Sequence, residues 1–456
     1  MKRVAVLDVV GLTRSLLGEH TPNLNRLADA CATVDSVTPA VTCSVQSTYL
    51  TGLLPRDHGV VANGWYFRDL NEIWLWRQSN RLVGGDKLWH QGRARDPGFS
   101  CGNLFWWYNM ATEADWSVTP RPLYLADGRK LPDCYSDPPE LRAQLTEAHG
   151  LFPLFQFWGP MTSVASSQWI AEAAMMVEQR HQPTLSLVYL PHLDYVLQRV
   201  GPGGDGVAAD LRQIDEVCGR LLDFYQERGC EVVVLSEYGI SEVSGVVHPN
   251  RMLREAGLLE VKEDLGREYL DPGRSRAFAV ADHQIAHVYV QDAADVPRVM
   301  ELFEGEPGVD RVLGEDGKRE HGLDHSRSGE VVLLSAPDRW FTYYFWLDDA
   351  RAPDYARTVN IHSKPGYDPC ELFLDPALVA PQLKVGWTLL KKTLGFRYLM
   401  DVIPLEPGLV KGSHGRAASH EAEKPVLLTT APGLLDGSSL EATEVCGLLL
   451  DHVFRS

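Results

Sequence analysis

Apolar residues run almost unbroken from Val4 to Val10, interrupted only by Asp8. A strand buried on both faces of a parallel sheet reads this way, because it has no solvent face on which to alternate. The period then changes. Thr21 to Cys31 (TPNLNRLADAC) predicts a helix with a Thr cap and Pro at its first position. A strand is expected over Thr33 to Val37, and a helix from Thr42. Two helix–strand units come later. SSQWIAEAAMMVEQRH leads into TLSLVYL and on to Asp194; VAADLRQIDEVCGRLLDFYQERG leads into EVVVLSEYG, which carries Glu237. Helices alternating with apolar strands predict an α/β chain around a largely parallel sheet, with its polar strand ends gathered on the carboxyl edge.

Two stretches break this rhythm. Residues from about 64 to 160 hold Trp65, Trp74, Trp76, Trp89, Trp106, Trp107 and Trp116 among many prolines, and read as a substrate-facing cap or an aromatic mini-core. Residues 277 to 345 read as a strand (FAVADHQIAHVYVQ), a helix (DVPRVMELFEG) and two more strands (VDRVL and GEVVLLSA), a small α+β insert. A helical stretch from Pro381 to Met400, the loop EPGLVKGSHGR, a last strand PVLLTTAP and a helix EATEVCGLLLDHV close the chain. The expected organisation is a core over 1–270 with the Trp-rich insert inside it, an α+β insert over 271–350, and the end of the core over 351–456.

Composition narrows the partners. The 456 residues are 45% hydrophobic and 23% charged, as in ordinary folded chains, with a net charge of -18. That charge argues against a nucleic-acid polymer as partner. It also repels anionic substrates, so a phosphoester site here would need local cations. No apolar run reaches the length of a transmembrane helix, and Met-Lys-Arg leads straight into a strand with no signal-peptide pattern. The eight cysteines are scattered without a CxxC pair, as in a reduced cytosolic protein. The expectation is a cytoplasmic protein with a small-molecule substrate and no membrane partner.

The polar residues at predicted strand ends and loops are Asp8, Thr42, Asp194, Glu237 and His414. A carboxylate at a strand end beside a hydroxyl at a helix start can build a metal-activated nucleophile for phosphoryl transfer. The helix start also offers backbone N–H groups to a phosphate oxygen. Oxygen ligands with one or more imidazoles suit Zn²⁺, Mn²⁺ or Fe. The plainer reading of Thr42 is a helix cap.

With these residues in place the chain resembles the alkaline phosphatase superfamily, and most of all its nucleotide pyrophosphatase/phosphodiesterase branch. In TCSVQSTYLTG, Thr42 lies nine residues before Thr51 of a Thr-Gly pair, at the family's nucleophile position. Pro55, His58 and Gly59 match the following segment, and Asn63 in HGVVAN matches the family's phosphate-binding Asn. SCGNLFWW resembles a strand leading to a substrate-groove Trp, and GSHGR resembles the segment of the last metal-binding His. The resemblance implies a three-layer sandwich and a covalent phospho-threonine at Thr42. It implies divalent metals, zinc first with Mn²⁺ or Mg²⁺ as alternatives. Asp8, Thr42, Asp194, Glu237 and His414 would be the ligands, and Asn63 with the Cys43 N–H would bind non-bridging oxygens. The implied activity is hydrolysis of a phosphodiester or pyrophosphate bond in a small molecule. The alternatives are a phosphomonoesterase or phosphonate hydrolase, or a binding protein with a degenerate metal site. Sulfatase chemistry is disfavoured, because Thr42 cannot become formylglycine and Gln46 occupies the sulfatase Arg position.

Two departures stand out. The family places a His four residues after the acidic residue matched by Asp194; here Gln198 stands there. It places an Asp–His pair where this chain has Glu237–Tyr238. Replacement ligands, a single or harder metal, or loss of catalysis are the three readings. Candidate replacements are His362, in a segment resembling the family's His–Gly–Tyr–Asp, then His283, with Asp282 and His192 behind them.

Overall fold

The N-terminal apolar run forms the centre of a nine-stranded mixed sheet. A computed structural model describes residues 1–455 apart from 127, 128, 419 and 436. Strand β1 (Val4–Val9) is buried along its whole length. After β2 (Cys31–Asp35) comes α1 (Thr42–Thr51), all of whose residues are buried. Strands β3 (Cys101–Leu104), β4 (Trp116–Pro120) and β5 (Cys134–Asp137) arise from the Trp-rich stretch. The two helix–strand units follow as α2 (Ala165–His181), β6 (Leu185–Leu190), α3 (His192–Val200), α4 (Val207–Gln226) and β7 (Glu231–Leu235). Next come β8 (Ala277–Asp282), β9 (Ile285–Val290), α5 (Val296–Phe303), β10 (Val309–Leu313) and β11 (Val331–Ser335). The chain closes with α6 (Pro381–Thr393), β12 (Val426–Thr429), β13 (Ser439–Glu441) and α7 (Val445–Phe454).

The main sheet runs β13-β2-β12-β7-β1-β6-β3-β4-β5. Its centre, from β7 to β4, is parallel, while β12 and β5 run antiparallel to their neighbours. Helices α2 and α4 pack on each other and against β6 and β7, and α1 packs on α7, which lies against β1. This is the layered α/β arrangement that the alternation predicts. Strands β8, β9, β11 and β10 form a second, antiparallel sheet, and one contiguous apolar core runs through both sheets.

Two local expectations change, and one open alternative narrows. Thr21 to Cys31 is not a helix; only Leu24–Leu27 makes a 3-10 turn. The side chain of Asp215 on α4 accepts from the backbone N–H of Asn23 at 3.0 Å and of Leu24 at 2.9 Å, so a tertiary acceptor takes donors that a helix start leaves open. FAVADHQIAHVYVQ is not one strand but the β8–β9 hairpin, turned at His283 and Gln284. The Trp-rich stretch is largely core: three of its strands join the main sheet, and Trp65, Trp89 and Trp106 are fully buried. Trp76 and Trp107 remain in contact near the sheet edge, their rings tilted by 47° with centroids 4.8 Å apart.

Candidate active site

The carboxyl edge of the sheet collects its polar groups from separate elements. Asp8 belongs to β1, Thr42 opens α1, and Glu237 with Tyr238 lies just past β7. Asp194 sits in the first turn of α3, and Gln198 one turn further on. The β8–β9 turn supplies Asp282 and His283, and His414 follows the short strand Gly412–Ser413. Helix α1 ends at Gly52, whose φ of 74° is in the left-handed region and whose N–H closes on Thr48 O at 2.7 Å. The Thr-Gly pair is therefore a helix stop. At the other end the capping position is Val41 and Thr42 is the first helical residue, so its hydroxyl does not cap the helix and instead meets Tyr238.

One half of the site is built on carboxyls. Asp8 and Glu237 are fully buried neighbours, and burial raises both proton affinities, that of Asp8 to about 7. Gln46, one turn along α1 from Thr42, lies between them. Its Nε2 donates to Asp8 Oδ2 at 3.1 Å and to Glu237 Oε1 at 2.6 Å. The backbone N–H of Trp107 donates to Gln46 Oε1 at 2.7 Å, which fixes the amide with its NH₂ toward the acids. Asp8 Oδ1 and Glu237 Oε2 accept no hydrogen bond from the described residues.

The other half is a hydroxyl and amide clamp on Asp194. Tyr238 Oη donates to Asp194 Oδ1 at 3.2 Å and also lies 3.2 Å from Thr42 Oγ. A phenol has one proton to give, so with that proton on Asp194 the Thr42 hydroxyl donates to Tyr238. Gln198 Nε2 donates to Asp194 Oδ2 at 2.7 Å, and Tyr367 Oη donates to Gln198 Oε1 at 2.7 Å. The Gln198 amide thus turns its nitrogen, not its carbonyl, toward Asp194. The Tyr238 ring stacks on His414, centroids 3.6 Å apart and nearly parallel.

Two imidazoles complete the cluster. His414 Nδ1 donates to the Ala40 carbonyl at 2.9 Å, and His283 Nδ1 to Asp282 Oδ1 at 2.7 Å. Burial holds both rings neutral, so each Nε2 is a bare lone pair, and neither has a hydrogen-bond partner. The rings lie 3.8 Å apart. His283 has φ of 60°, unusual for a residue with a side chain, and it stacks on Tyr367 at 3.6 Å.

Residues 4–368 match the profile of the family described as type I phosphodiesterase / nucleotide pyrophosphatase. The chain belongs to that family. Its members are phosphoric ester hydrolases within the alkaline phosphatase superfamily. No curated protein sequence matches the chain significantly. Among solved structures, phosphonoacetate hydrolase from Sinorhizobium meliloti 1021, in complex with phosphonoformate, is 15% identical, with 99% of this chain and 96% of that one covered and a TM-score of 0.60. An inactive variant of murine ectonucleotide pyrophosphatase / phosphodiesterase 5, in complex with AMP, is 13% identical, with 99% and 95% covered and a TM-score of 0.58. Both show the same fold.

Within this phosphodiesterase-family chain, Asp8, Thr42, Glu237, Tyr238, Asp194, Gln198, His414 and His283 come together, and two expected residues stay away. His362 is exposed, and its electrostatic neighbours are Lys130, Arg77 and Arg121. His192 opens α3 but turns to Asp210 on α4, 3.7 Å away. Asn63 is held on both sides: its Oδ1 accepts from the Cys43 N–H at 2.9 Å, and its Nδ2 donates to Asp282 Oδ1 at 3.1 Å. Asp282 therefore orients Asn63 and His283 rather than facing the carboxyl pair, and the Cys43 N–H is engaged. Gln46 and Tyr367 are the site residues that sequence reasoning missed. Gln46 lies at i+4 from Thr42 on the same helix and at the position of the sulfatase Arg, the two signals that could have found it.

Among the described residues no group of three or more His, Cys, Asp or Glu is arranged to hold a metal ion. The two halves differ in how they fit one. Asp8 and Glu237 each leave a buried oxygen unpartnered, and with the Thr42 hydroxyl they form an all-oxygen donor set suited to a hard cation. Asp194 has both oxygens engaged by donors, so that half does not fit a second zinc as it stands.

Proposed function

We propose that the chain hydrolyses a phosphodiester or pyrophosphate bond in a small molecule through a covalent phospho-threonine at Thr42. The observation that carries this reading is the Thr42 hydroxyl at the head of α1, between the Asp8–Glu237 pair and the Tyr238–Asp194 clamp, in a chain of this family. Asp8, Glu237 and Thr42 would hold one divalent cation, magnesium or manganese before zinc. A cation there would supply Lewis-acid charge near the attacking oxygen and the phosphoryl group.

The chain's own groups do the rest. The Thr42 hydroxyl donates to Tyr238, which donates to Asp194. As Thr42 Oγ bonds to phosphorus and the bond to the leaving oxygen breaks, the Thr42 proton passes to Tyr238 and the Tyr238 proton to Asp194. The leaving oxygen departs with a proton from Asp194 or water, and water then cleaves the phospho-threonine and restores the hydroxyl. A second Nδ2 hydrogen on Asn63 stays available for a non-bridging oxygen, with the Asn63 side chain pinned by Asp282. Gln46 donates to both acids through one nitrogen and so offsets part of their mutual repulsion. Trp76, Trp107 and Tyr367 form an aromatic wall beside this cluster, which suits a flat or apolar leaving group.

A diester is favoured over a monoester. A monoester carries an extra charge and calls for added cations, yet Arg56, Arg68, Lys87 and Lys364 are engaged elsewhere. Arg56 pairs with Asp324 at 3.4 Å and Arg68 with Glu330 at 2.8 Å. Lys87 donates to Val83 O at 2.7 Å, and Lys364 is buried against Asp368 and Glu371, each at 2.7 Å. Turnover of bis(p-nitrophenyl) phosphate against p-nitrophenyl phosphate, with Mg²⁺, Mn²⁺ or Zn²⁺, tests the reading together with mass spectrometry of the Thr42 peptide. Diester turnover that is lost in Thr42→Ala, with a phosphoryl adduct on Thr42, supports it. Absence of Thr42-dependent turnover and of any adduct would return the chain to a binding role.

A further inference from the structure

The apolar side of helix α6 faces the wrong way for a globular protein. Leu383 is 75%, Trp387 59%, Leu390 47% and Leu394 63% exposed, and their spacing of four, three and four residues puts them on one stripe. Phe396 and Leu399 extend the patch at 64% and 48% exposure. The side toward the protein holds the buried Thr388 and Val385, which packs on a small cluster with Trp340, Val402 and Ile403. Lys384, on that side, reaches the Asp401 carboxylate at 3.0 Å. The helix is thus tied down by its polar side while its Leu/Trp side meets water. A contiguous patch of this kind marks an interaction surface.

Charge indicates what covers it. Residues 376–400 contain Lys384, Lys391, Lys392 and Arg397 and no Asp or Glu, in a chain of net charge -18. Lys391 and Lys392 each lie 5.6 Å from an aromatic ring, those of Trp387 and Tyr398, so cation and ring flank the stripe together. A second copy docked symmetrically on this face would set two cationic segments against each other. An acidic protein partner would satisfy the lysines but has no need of so long an apolar stripe. A basic segment with exposed Leu, Trp and Phe matches the boundary layer of an anionic bilayer, where the apolar side enters the acyl region and lysines reach the headgroups. No helix among the described residues is long and apolar enough to cross a membrane, so the contact is a lateral one.

We infer that α6 and residues 394–399 dock this protein onto an anionic membrane surface. The segment supplies the attraction, and the acidic remainder of the chain is held away by its own charge, so docking has one orientation. On this inference the membrane contact is peripheral, a partner that the sequence alone did not suggest.

Sedimentation with vesicles of phosphatidylcholine alone and of phosphatidylcholine with phosphatidylglycerol tests this on the full chain. The wild type should pellet with the anionic vesicles and not the neutral ones, and binding should weaken as salt rises. Leu383→Glu/Trp387→Glu and Lys391→Glu/Lys392→Glu should each lower binding by at least about tenfold and leave turnover of a soluble diester unchanged. Failure of the wild type to bind anionic vesicles overturns the inference. So does binding that is indifferent to Lys391→Glu/Lys392→Glu, or a wild-type dimer in sedimentation velocity that Leu383→Glu/Trp387→Glu dissociates.

Discussion

The two halves of the site start from the same material, a buried acid near Thr42, and resolve it differently. Asp8 and Glu237 share one amide donor set, that of Gln46, and each keeps an oxygen without a partner. Asp194 receives a donor on each oxygen, from Tyr238 and Gln198, and its nearest imidazole, His414, stands 4.0 Å off. Buried polar atoms are nearly always satisfied, so orphaned carboxylate oxygens ask for a cation or a proton. A carboxylate with a donor on each oxygen has less need of a cation, although burial raises the Asp194 carboxyl, like that of Asp8, to about 7. The difference separates the two halves: Gln198 and Tyr238 close Asp194 into a hydrogen-bonded clamp, while Asp8 and Glu237 each keep an oxygen without a partner among the described residues.

The comparison can be broken in several places. Thr42→Ala removes the shared nucleophile, and diester turnover should fall by at least about a thousandfold with no phosphoryl adduct on the peptide. Glu237→Gln should cost turnover about a hundredfold and abolish cation-dependent thermal stabilisation, whereas Asp194→Asn should leave that stabilisation in place. Retention of the cation effect in Glu237→Gln would misplace the open half. Tyr238→Phe interrupts the line from Thr42 to Asp194 and should lower turnover about tenfold to a hundredfold without changing cation affinity. Gln46→Leu strips both acids of their donor and should destabilise the cation-free protein by about 2 kcal/mol in urea unfolding, with added Mn²⁺ recovering part of the loss.

The smallest effect is a pH dependence. Burial raises the Asp8 carboxyl to about 7, well above its ordinary 3.8. A carboxyl raised on folding adds stability below its unfolded value and loses it as pH rises through the folded one. Buried histidines such as His58, His287 and His414, held neutral by burial, act in the opposite direction, so the Asp8 contribution is read as a difference between variants. From about pH 5 to about pH 8 the cation-free wild type should lose stability relative to Asp8→Asn. Parallel stability curves for the two proteins would assign the pH dependence to other groups.

What the sequence disclosed follows from how local each signal is. β1, α1 and the α2–β6 and α4–β7 units are legible because burial on both faces, or on one stripe, writes a period into neighbouring residues. Asp8, Thr42 and Glu237 were legible for the same reason, as polar residues at the ends of such elements. The β8–β9 turn was hidden because His283 occupies a positive-φ position that usually shows itself as Gly or Asn, so one apolar run concealed two strands. Residues 21–31 carried a helix signature that Asp215, almost two hundred positions away, overrides. The sequence ranks His362 ahead of His283, and the order reverses because the packing of the second sheet against Tyr367 and His414 brings His283 in. Gln198 and Tyr238 were visible as departures, but their meaning depends on which atom each turns toward Asp194. That is set by Tyr367 and by the stack on His414.

The claim that one half of the site is open and the other closed is tested most directly by anomalous diffraction from crystals grown with Mn²⁺. The account predicts a single peak between Asp8, Glu237 and Thr42, and none between Asp194 and His414. Two peaks, or a peak at Asp194 and His414 alone, would contradict it.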